Sequence, residues 1–247
     1  MKILEVENVV FSYNDAEILK GVSFSLEKGS LLSMLGANGS GKTTLLKIIC
    51  GVLPFSEGRI KIVGKCLSEI SRIELAKMRA FVPSEVHIPY NFSVLDIVLM
   101  GRSPHLKWWQ AYGRKDREFV LDILESLKLS HLALRSINSL SSGEKQMALI
   151  AQALAQEPEI LVLDEPTSHL DIKYKIEIFR LLDRMRKTNS LSIIMATHDI
   201  SLALKYSSSS LFLAKGSNMY FGNMKDALAT GIIERAYNLE QKVSEFI

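Results

Sequence analysis

Cysteine is scarce in this chain of 247 residues, which contains only Cys50 and Cys66. The two residues form no Cys-x-x-Cys pair and no cluster with histidine, so the sequence favours neither a disulfide framework nor a zinc site. Two reduced thiols are typical of a protein that works in the cytosol.

Long apolar runs and an excess of one charge are also missing. No apolar stretch approaches the roughly 18 residues of a membrane-spanning helix. The 30 basic and 27 acidic residues give a net charge of +3 and are spread along the chain. Without a basic arm or tail, this pattern does not indicate nucleic-acid binding. Because 47% of the residues are hydrophobic, the chain can still bury a substantial core.

The clearest motif is a glycine-rich loop between the apolar segment 31–35 and an apolar helical pattern. It fits G-x-x-x-x-G-K-[ST] in the strand-to-helix context that a phosphate-binding loop requires, which a chance glycine-rich turn would not explain. Its backbone N–H groups and the helix start attract phosphate, Lys42 adds a charge, and the Thr43 hydroxyl can ligate magnesium. The candidate nucleotide-binding residues are Gly36, Ala37, Asn38, Gly39, Ser40, Gly41, Lys42, Thr43 and Thr44.

Two further apolar segments end in polar groups that suit phosphoryl chemistry. Residues 160–163 predict a buried strand followed by Asp164, which could hold magnesium, and Glu165, which could polarise water. Residues 191–196 predict another strand, and His198 follows it. A single acidic pair or histidine can be purely structural. Because ligands gather at the carboxyl ends of parallel strands, however, we expect these groups beside the phosphate loop.

Three features leave two interpretations open. Tyr13, just after a predicted strand at 2–10, is either a core or rim residue or a stacking platform for a base. The sequence LSSGE, residues 140–144, either only caps the following helix or also forms an anion site there. Trp108 and Trp109, in the predicted loop 101–113, either form a docking surface or pack under a helical segment.

The order of the elements predicts an α/β fold. Strands at 2–10, 22–26 and 59–63 predict an antiparallel β subdomain near the N-terminus. Helical patterns dominate residues 84–156, which we expect to form a helical subdomain inserted in a mainly parallel core, with residues 1–247 as one domain. Segments 211–213 and 219–221 predict a closing hairpin before a short helical tail.

These motifs resemble those of the nucleotide-binding subunits of ABC transporters, in the family's order and spacing over nearly the whole chain. GANGSGKTT resembles the Walker A loop, LSSGE the signature motif, and ILVLDEP the Walker B motif with its catalytic glutamate. SHLD, which ends at Asp171, resembles the D-loop, and His198 matches the switch histidine. Tyr13 matches the aromatic residue that stacks on adenine.

The resemblance implies a P-loop NTPase that uses ATP and Mg²⁺ and forms a head-to-tail homodimer around two ATP molecules. Glu165 would align the attacking water, and His198 would hold the γ-phosphate. The integral-membrane permease subunits would be separate chains, with a substrate-binding protein as an indirect partner and this chain at the cytoplasmic face of the cell membrane. The signature residues that would contact the partner's nucleotide are Ser141, Ser142, Gly143 and Glu144.

The subfamily signal lies in NFSVLDIVLMGRSPH, which resembles a segment of importers for metal chelates and related cargoes: iron–siderophore, haem, cobalamin and molybdate systems. Two other functions stay open. One is a soluble ABC ATPase acting on ribosomes or DNA, although such proteins usually carry two domains or a long coiled-coil insertion. The other is a module that senses ATP without hydrolysing it, against which Glu165 and His198 argue.

Two positions depart from the family pattern. Ser84 stands where the family has a glutamine that reaches magnesium and water, and Ser142 replaces a signature glycine. The shorter Ser84 side chain would need a bridging water to act as a metal ligand, with Glu85 as an alternative. We therefore expect a slower or less tightly coupled ATPase. A side chain at Ser142 either crowds the nucleotide or adds a hydrogen bond.

Overall fold

Strands and helices both occur along the part of the chain that the structure, a computed structural model, describes: residues 1–237 and 239. In chain order the elements are β1 (Lys2–Tyr13), β2 (Ala16–Glu27), β3 (Leu31–Leu35), α1 (Lys42–Ile49), β4 (Glu57–Ile62), β5 (Lys65–Cys66), α2 (Arg72–Met78), β6 (Arg79–Val82), α3 (Val94–Met100), α4 (Arg114–Ser126), α5 (Ser142–Ala155), β7 (Ile160–Asp164), α6 (Ile172–Asn189), β8 (Ser192–Ala196), α7 (Ile200–Tyr206), β9 (Ser209–Ala214), β10 (Ser217–Gly222), α8 (Met224–Ala229) and α9 (Ile232–Tyr237).

The strands form two sheets. The N-terminal sheet has the order β2-β1-β4-β5, and its neighbouring strands are antiparallel. The core sheet has the order β10-β9-β3-β8-β7-β6 and is parallel except for its edge strand β10. This arrangement confirms the predicted α/β class, with a mainly parallel core sheet and an antiparallel N-terminal sheet.

The central strands β3, β7 and β8 are buried at every residue because both faces of the core sheet are covered. Leu161 and Leu163 pack in a cluster with the buried residues of α3–α6. Ile160 and Val162, which point the opposite way, pack with α1 and the N-terminal sheet. The continuous apolar runs in the sequence therefore reflect strands held between two hydrophobic layers.

The register of these three strands aligns their carboxyl ends. Met34 at the end of β3 pairs with Ala196 of β8, and Ala196 pairs with Asp164 of β7. The Thr197 N–H donates to the Met34 carbonyl oxygen over 3.1 Å, which extends the alignment beyond the strand ends. The segments that follow the three strands therefore begin at the same edge of the sheet.

Several sequence-based boundaries need correction. Tyr13 is the last residue of β1 rather than a residue after the strand, because its pairing with Ala16 continues the hairpin. Helix α7 was not predicted. Helix α9 begins the predicted helical tail, whose residues 238 and 240–247 lie outside the described part. The segment 84–156 does contain α3, α4 and α5, which share one hydrophobic cluster.

The packing interpretation of the two tryptophans is wrong. The exposed fractions of Trp108 and Trp109 are 92% and 65%. The two rings contact each other edge to face, with centroids 5.3 Å apart. They project from the loop between α3 and α4 instead of packing under the helical segment.

Gly216, in the turn between β9 and β10, joins the two sheets. Its carbonyl oxygen accepts a hydrogen bond from the Lys20 N–H over 2.9 Å. Its φ is +83°, and a Cβ there would overlap the Ile18 carbonyl oxygen. Gly64 has a similar φ of +77° but no neighbouring atom within 4 Å of such a Cβ. Substitution of Gly64 by alanine therefore measures the cost of the backbone conformation alone, whereas substitution of Gly216 adds the cost of steric overlap.

We expect Gly216→Ala to lower the free energy of unfolding by about 2 kcal/mol more than Gly64→Ala. Both variants share the cost of a left-handed alanine, about 1–2 kcal/mol, but only the first forces β2 away from the turn. Urea unfolding followed by circular dichroism measures the difference. Equal destabilisation by the two substitutions would contradict this account of the sheet junction.

Candidate functional site

The glycine-rich loop, residues 36–41, connects β3 to α1. Gly41 adopts a φ of +100° directly before the helix, and a Cβ there would press on the Leu19 side chain. The Lys42 ammonium points back into the loop and donates to the carbonyl oxygens of Gly36 (2.8 Å) and Ala37 (3.2 Å). Burial lowers the pKa of Lys42, while the nearby Glu165 and Asp164 carboxylates act to raise it. The loop thus surrounds a cation at the start of a helix.

Asp164, at the end of β7, is buried beside this loop. The Thr43 hydroxyl donates to Asp164 Oδ1 over 3.2 Å, whereas Oδ2 is buried without a hydrogen-bond partner among the described residues. Burial raises the pKa of Asp164, and the Thr43 hydrogen bond opposes this shift. The Ser40 hydroxyl is likewise buried without a partner in the described part of the chain. Unsatisfied oxygens of this kind suit a hard cation or a phosphate group.

Glu165 and His198 meet at the next positions of the same sheet edge. Glu165 has a φ of +49°, and its N–H donates to the Ala196 carbonyl oxygen over 3.0 Å. His198 Nε2 donates to Glu165 Oε1 over 2.9 Å. Their side chains are 27% and 40% exposed, so solvent reaches both. Non-glycine residues held in this backbone region cluster at functional sites, which supports Glu165 as a candidate functional residue.

A cleft of about 300 Å³ brings eight of the candidate residues together. Tyr13 lies at its edge, 46% exposed, with its ring edge to face against Phe11 at a centroid distance of 4.7 Å. Ile18 lines the cleft as well. Its other lining residues come from the glycine-rich loop, the start of α1 and the end of β7: Asn38, Gly39, Gly41, Lys42, Thr43, Thr44 and Glu165.

Sequence reasoning missed a polar network behind His198. The neighbouring Asp199 accepts hydrogen bonds from the Thr167 hydroxyl (2.7 Å) and from the Lys175 ammonium (2.9 Å). The Tyr237 ring also lies near His198, with the two ring centroids 6.3 Å apart. Thr167, Lys175 and Tyr237 are remote from His198 in the sequence, so no local pattern could identify the network.

The start of α5 is a complete capping box. Ser141 donates from its N–H and its hydroxyl to Glu144 Oε2 over 2.8 and 2.7 Å, and its hydroxyl accepts from the Glu144 N–H over 3.3 Å. The hydrogen bonds from Ser141 lower the pKa of Glu144. Ser142 is exposed, whereas Gly143 is buried. Helix capping is therefore confirmed, with Ser141 rather than Ser142 as the cap, and the anion site stays a prediction.

The first turn of α6 packs against this helix start. Asp171 caps α6 by accepting a hydrogen bond from the Tyr174 N–H over 2.9 Å. The Tyr174 ring covers Gly143 so closely that a Cβ at that position would overlap the ring atoms. Only glycine therefore fits at position 143 without displacement of the ring.

Several candidate residues are not among the described residues that line the cleft. Asp164 and His198 adjoin it through Glu165, whereas the segment 141–144 and Ser84 belong to other parts of the fold. Ser141–Glu144 belong to α5 in the helical segment and are not among the residues that line the cleft. Ser84 is exposed and lies two residues after β6, whose Val82 pairs with Leu163 of β7. In a single chain the site therefore contains the phosphate loop, Glu165 and His198, but not the segment 141–144.

Comparison with known proteins agrees with this geometry. The family described as ABC transporter matches residues 19–168. An iron chelatin transport ATP-binding protein of Helicobacter pylori is 41% identical over 83% of this chain and 81% of its own length. The Iron(3+)-hydroxamate import ATP-binding protein of Bacillus subtilis is 31% identical over 98% of this chain and 90% of its own length.

Solved structures resemble the whole fold. A metal-chelate type ABC transporter in an inward-facing conformation matches with a TM-score of 0.85 and 32% identity, covering 96% of this chain and 89% of the matched chain. A dimeric ATP-binding cassette in a post-hydrolysis state, bound to ADP and phosphate, matches with a TM-score of 0.78 and 28% identity, covering 90% and 98%.

Among residues 1–237 and 239, no helix combines the length and apolar character that crossing a membrane requires. The phosphate loop, the acidic strand end and the histidine beside it occur here in one P-loop NTPase fold. Together with the family match and the relatives, they identify the chain as a member of the ATP-binding subunits of ABC transporters, which hydrolyse ATP.

Proposed function

We propose that this chain hydrolyses ATP in the cleft beside the glycine-rich loop and thereby energises import of a metal chelate through a separate membrane permease. The observation that carries the proposal is the hydrogen bond between Glu165 and His198 at the edge of that cleft. The names of the iron chelatin and hydroxamate relatives support the cargo class.

ATP would enter with its phosphates on the glycine-rich loop and its adenine on Tyr13, whose exposed ring stands at the edge of the cleft. The Lys42 ammonium, now bonded to two loop carbonyl oxygens, would turn to the outer phosphates. A phosphate oxygen neutralises this partly buried cation better than a carbonyl dipole does, because a charged acceptor forms the stronger hydrogen bond. This exchange favours nucleotide binding.

The side chains beside the loop fit a magnesium ion. Asp164 supplies a buried carboxylate oxygen without a partner, and Thr43 supplies a hydroxyl 3.2 Å from the same carboxylate. Ser84 lies after the neighbouring strand and is the weakest of the three candidate ligands because its side chain is short. When bound, magnesium would neutralise charge on the phosphates.

Hydrolysis would depend on the positions of two side chains. Glu165 would accept a hydrogen bond from the attacking water and polarise it, and His198 would donate to the γ-phosphate instead of to Glu165. Asp199, fixed by Thr167 and Lys175, holds the backbone next to this histidine in place. Phosphoryl transfer needs little beyond such positioning and charge stabilisation.

The second half of each site would come from a partner copy. The start of α5, Ser141–Glu144, lies outside its own chain's cleft and would contact the nucleotide of the other chain through the Ser141 hydroxyl and the Gly143 N–H. Asp171, exposed at the start of α6, would lie at the same interface. A dimeric cassette among the similar structures supports this head-to-tail homodimer.

The assembled transporter would place the whole chain, as one domain with an inserted helical subdomain, at the cytoplasmic face of the cell membrane. Its direct partners would be permease subunits, and a substrate-binding protein would act through them. The main alternative is a module that senses ATP without hydrolysing it. The accessible pair of Glu165 and His198 favours hydrolysis.

Glu165→Gln tests the proposed chemistry. The amide keeps the shape of the side chain but cannot polarise water, so we expect kcat for ATP hydrolysis to fall about 10²–10⁴-fold while ATP binding persists. Asp122→Asn, which changes an exposed acid on α4, is the matched control and should retain the wild-type rate. Release of inorganic phosphate measures both. Undiminished hydrolysis by Glu165→Gln would refute the assignment.

The contact between Tyr174 and Gly143 yields a second test. We expect Gly143→Ala to lower the free energy of unfolding by about 2 kcal/mol, because the new methyl group overlaps the Tyr174 ring. In the double variant with Tyr174→Ala, the added cost of the methyl group should largely disappear. Ser142→Ala, at the exposed neighbouring position, should leave stability unchanged. Additive effects in urea unfolding would mean that the ring does not restrict position 143.

A further inference from the structure

The loop between α3 and α4 carries an aromatic and basic surface that the proposed ATPase site does not use. We define the Trp loop as residues 107–117, KWWQAYGRKDR, which include the end of this loop and the first turn of α4. The loop contains the only two tryptophans of the chain, Trp108 and Trp109. Both rings are exposed, and the Lys107 ammonium lies 5.4 Å from the centroid of the Trp109 ring. Amphipathic rings in water beside cations mark this loop as a contact surface.

The charge of the Trp loop is strongly one-sided. Its four cations and single anion give a net charge of +3 for the segment. The one anion, Asp116, faces Arg102 outside the loop at 3.4 Å. Lys107 and Lys115 are exposed and make no ion pair within the described part of the chain. Arg114 forms an ion pair with Glu118, with 2.7 Å between Nε and Oε1. A negatively charged surface would complement this distribution.

The shape of the loop favours a soft surface over a protein helix. A docking helix inserts its side chains into a groove, but the exposed fraction of Trp108 is 92% and its ring is not held within one. A groove of about 440 Å³ does lie nearby, lined by apolar residues that include Phe81, Met100 and Pro104. The proposed function requires contact with a permease. A permease helix in that groove would leave the protruding tryptophans, which do not line the groove, outside the contact.

We propose that the Trp loop contacts anionic phospholipid headgroups of the bilayer around the permease. Indole rings favour the membrane interface, where the apolar ring is buried and the N–H stays hydrated, and each nearby cation adds attraction to anionic lipid. This inference rests on the proposed function, which places the chain beside a membrane permease. The Trp loop begins three residues after Pro104, which lines the groove that would receive the permease. The contact would orient the ATPase against the bilayer.

Intrinsic fluorescence tests the proposal directly, because both tryptophans belong to the loop. The purified full-length chain is titrated at low salt with vesicles of phosphatidylcholine alone or mixed with phosphatidylglycerol. With the anionic vesicles we expect a blue shift of the emission, and quenching when the acyl chains are brominated. Lys107→Gln combined with Lys115→Gln should weaken this partitioning roughly 25-fold, at about fivefold for each cation.

A matched variant and the ATPase assay distinguish failure of the lipid proposal from failure of the proposed ATPase function. Trp108→Ser combined with Trp109→Ser should abolish co-sedimentation with the anionic vesicles and leave ATP hydrolysis unchanged. Wild-type emission that does not respond to anionic vesicles, or responds equally to both kinds, would overturn the lipid proposal and leave a protein as the partner of this surface. Loss of the proposed function itself would appear instead as absence of hydrolysis by the wild-type chain.

Discussion

The alignment of three buried parallel strands is the constraint on which the site depends. Because Met34, Ala196 and Asp164 share one line across the sheet, the phosphate loop, Glu165 and His198 begin at the same edge. Burial on both faces resists a slip of this register, since a shift by one residue would force every side chain into a close-packed layer formed around a different side chain. The hydrophobic layers therefore fix the distances between candidate catalytic groups that are remote in the sequence.

The first turn of α6 contacts both the segment proposed to bind the partner's nucleotide and the segment proposed to bind the chain's own nucleotide. Tyr174 covers Gly143, at the segment that would serve the partner's nucleotide. The next residue, Lys175, binds Asp199 beside His198, which would serve the chain's own nucleotide. Asp171 caps this same turn at the proposed dimer interface. A displacement of the first turn of α6 would therefore move both the segment around Gly143 and the segment around His198. Coupled closure and reopening of a dimer requires such a connection.

Local patterns were sufficient for most of the architecture and for the residues at the strand ends. A few consecutive residues are enough to predict each of three features: the glycine-rich loop, the buried strand before Asp164 and the helix cap at Ser141. The Tyr174 ring on Gly143 and the network around Asp199 could not be predicted, because those contacts depend on how α6 packs against distant segments. The exposure of Trp108 also required the structure, since apolar rings in a loop are compatible with burial or with display.

The central claim is that a complete site needs two chains, because the cleft contains the phosphate loop but not Ser141–Glu144. The most direct measurement is the molecular mass of Glu165→Gln in solution, by light scattering, with and without ATP and magnesium. The account predicts that ATP converts the monomer to a dimer, because the γ-phosphate bound by both chains is no longer removed. A variant that binds ATP and stays monomeric would contradict it.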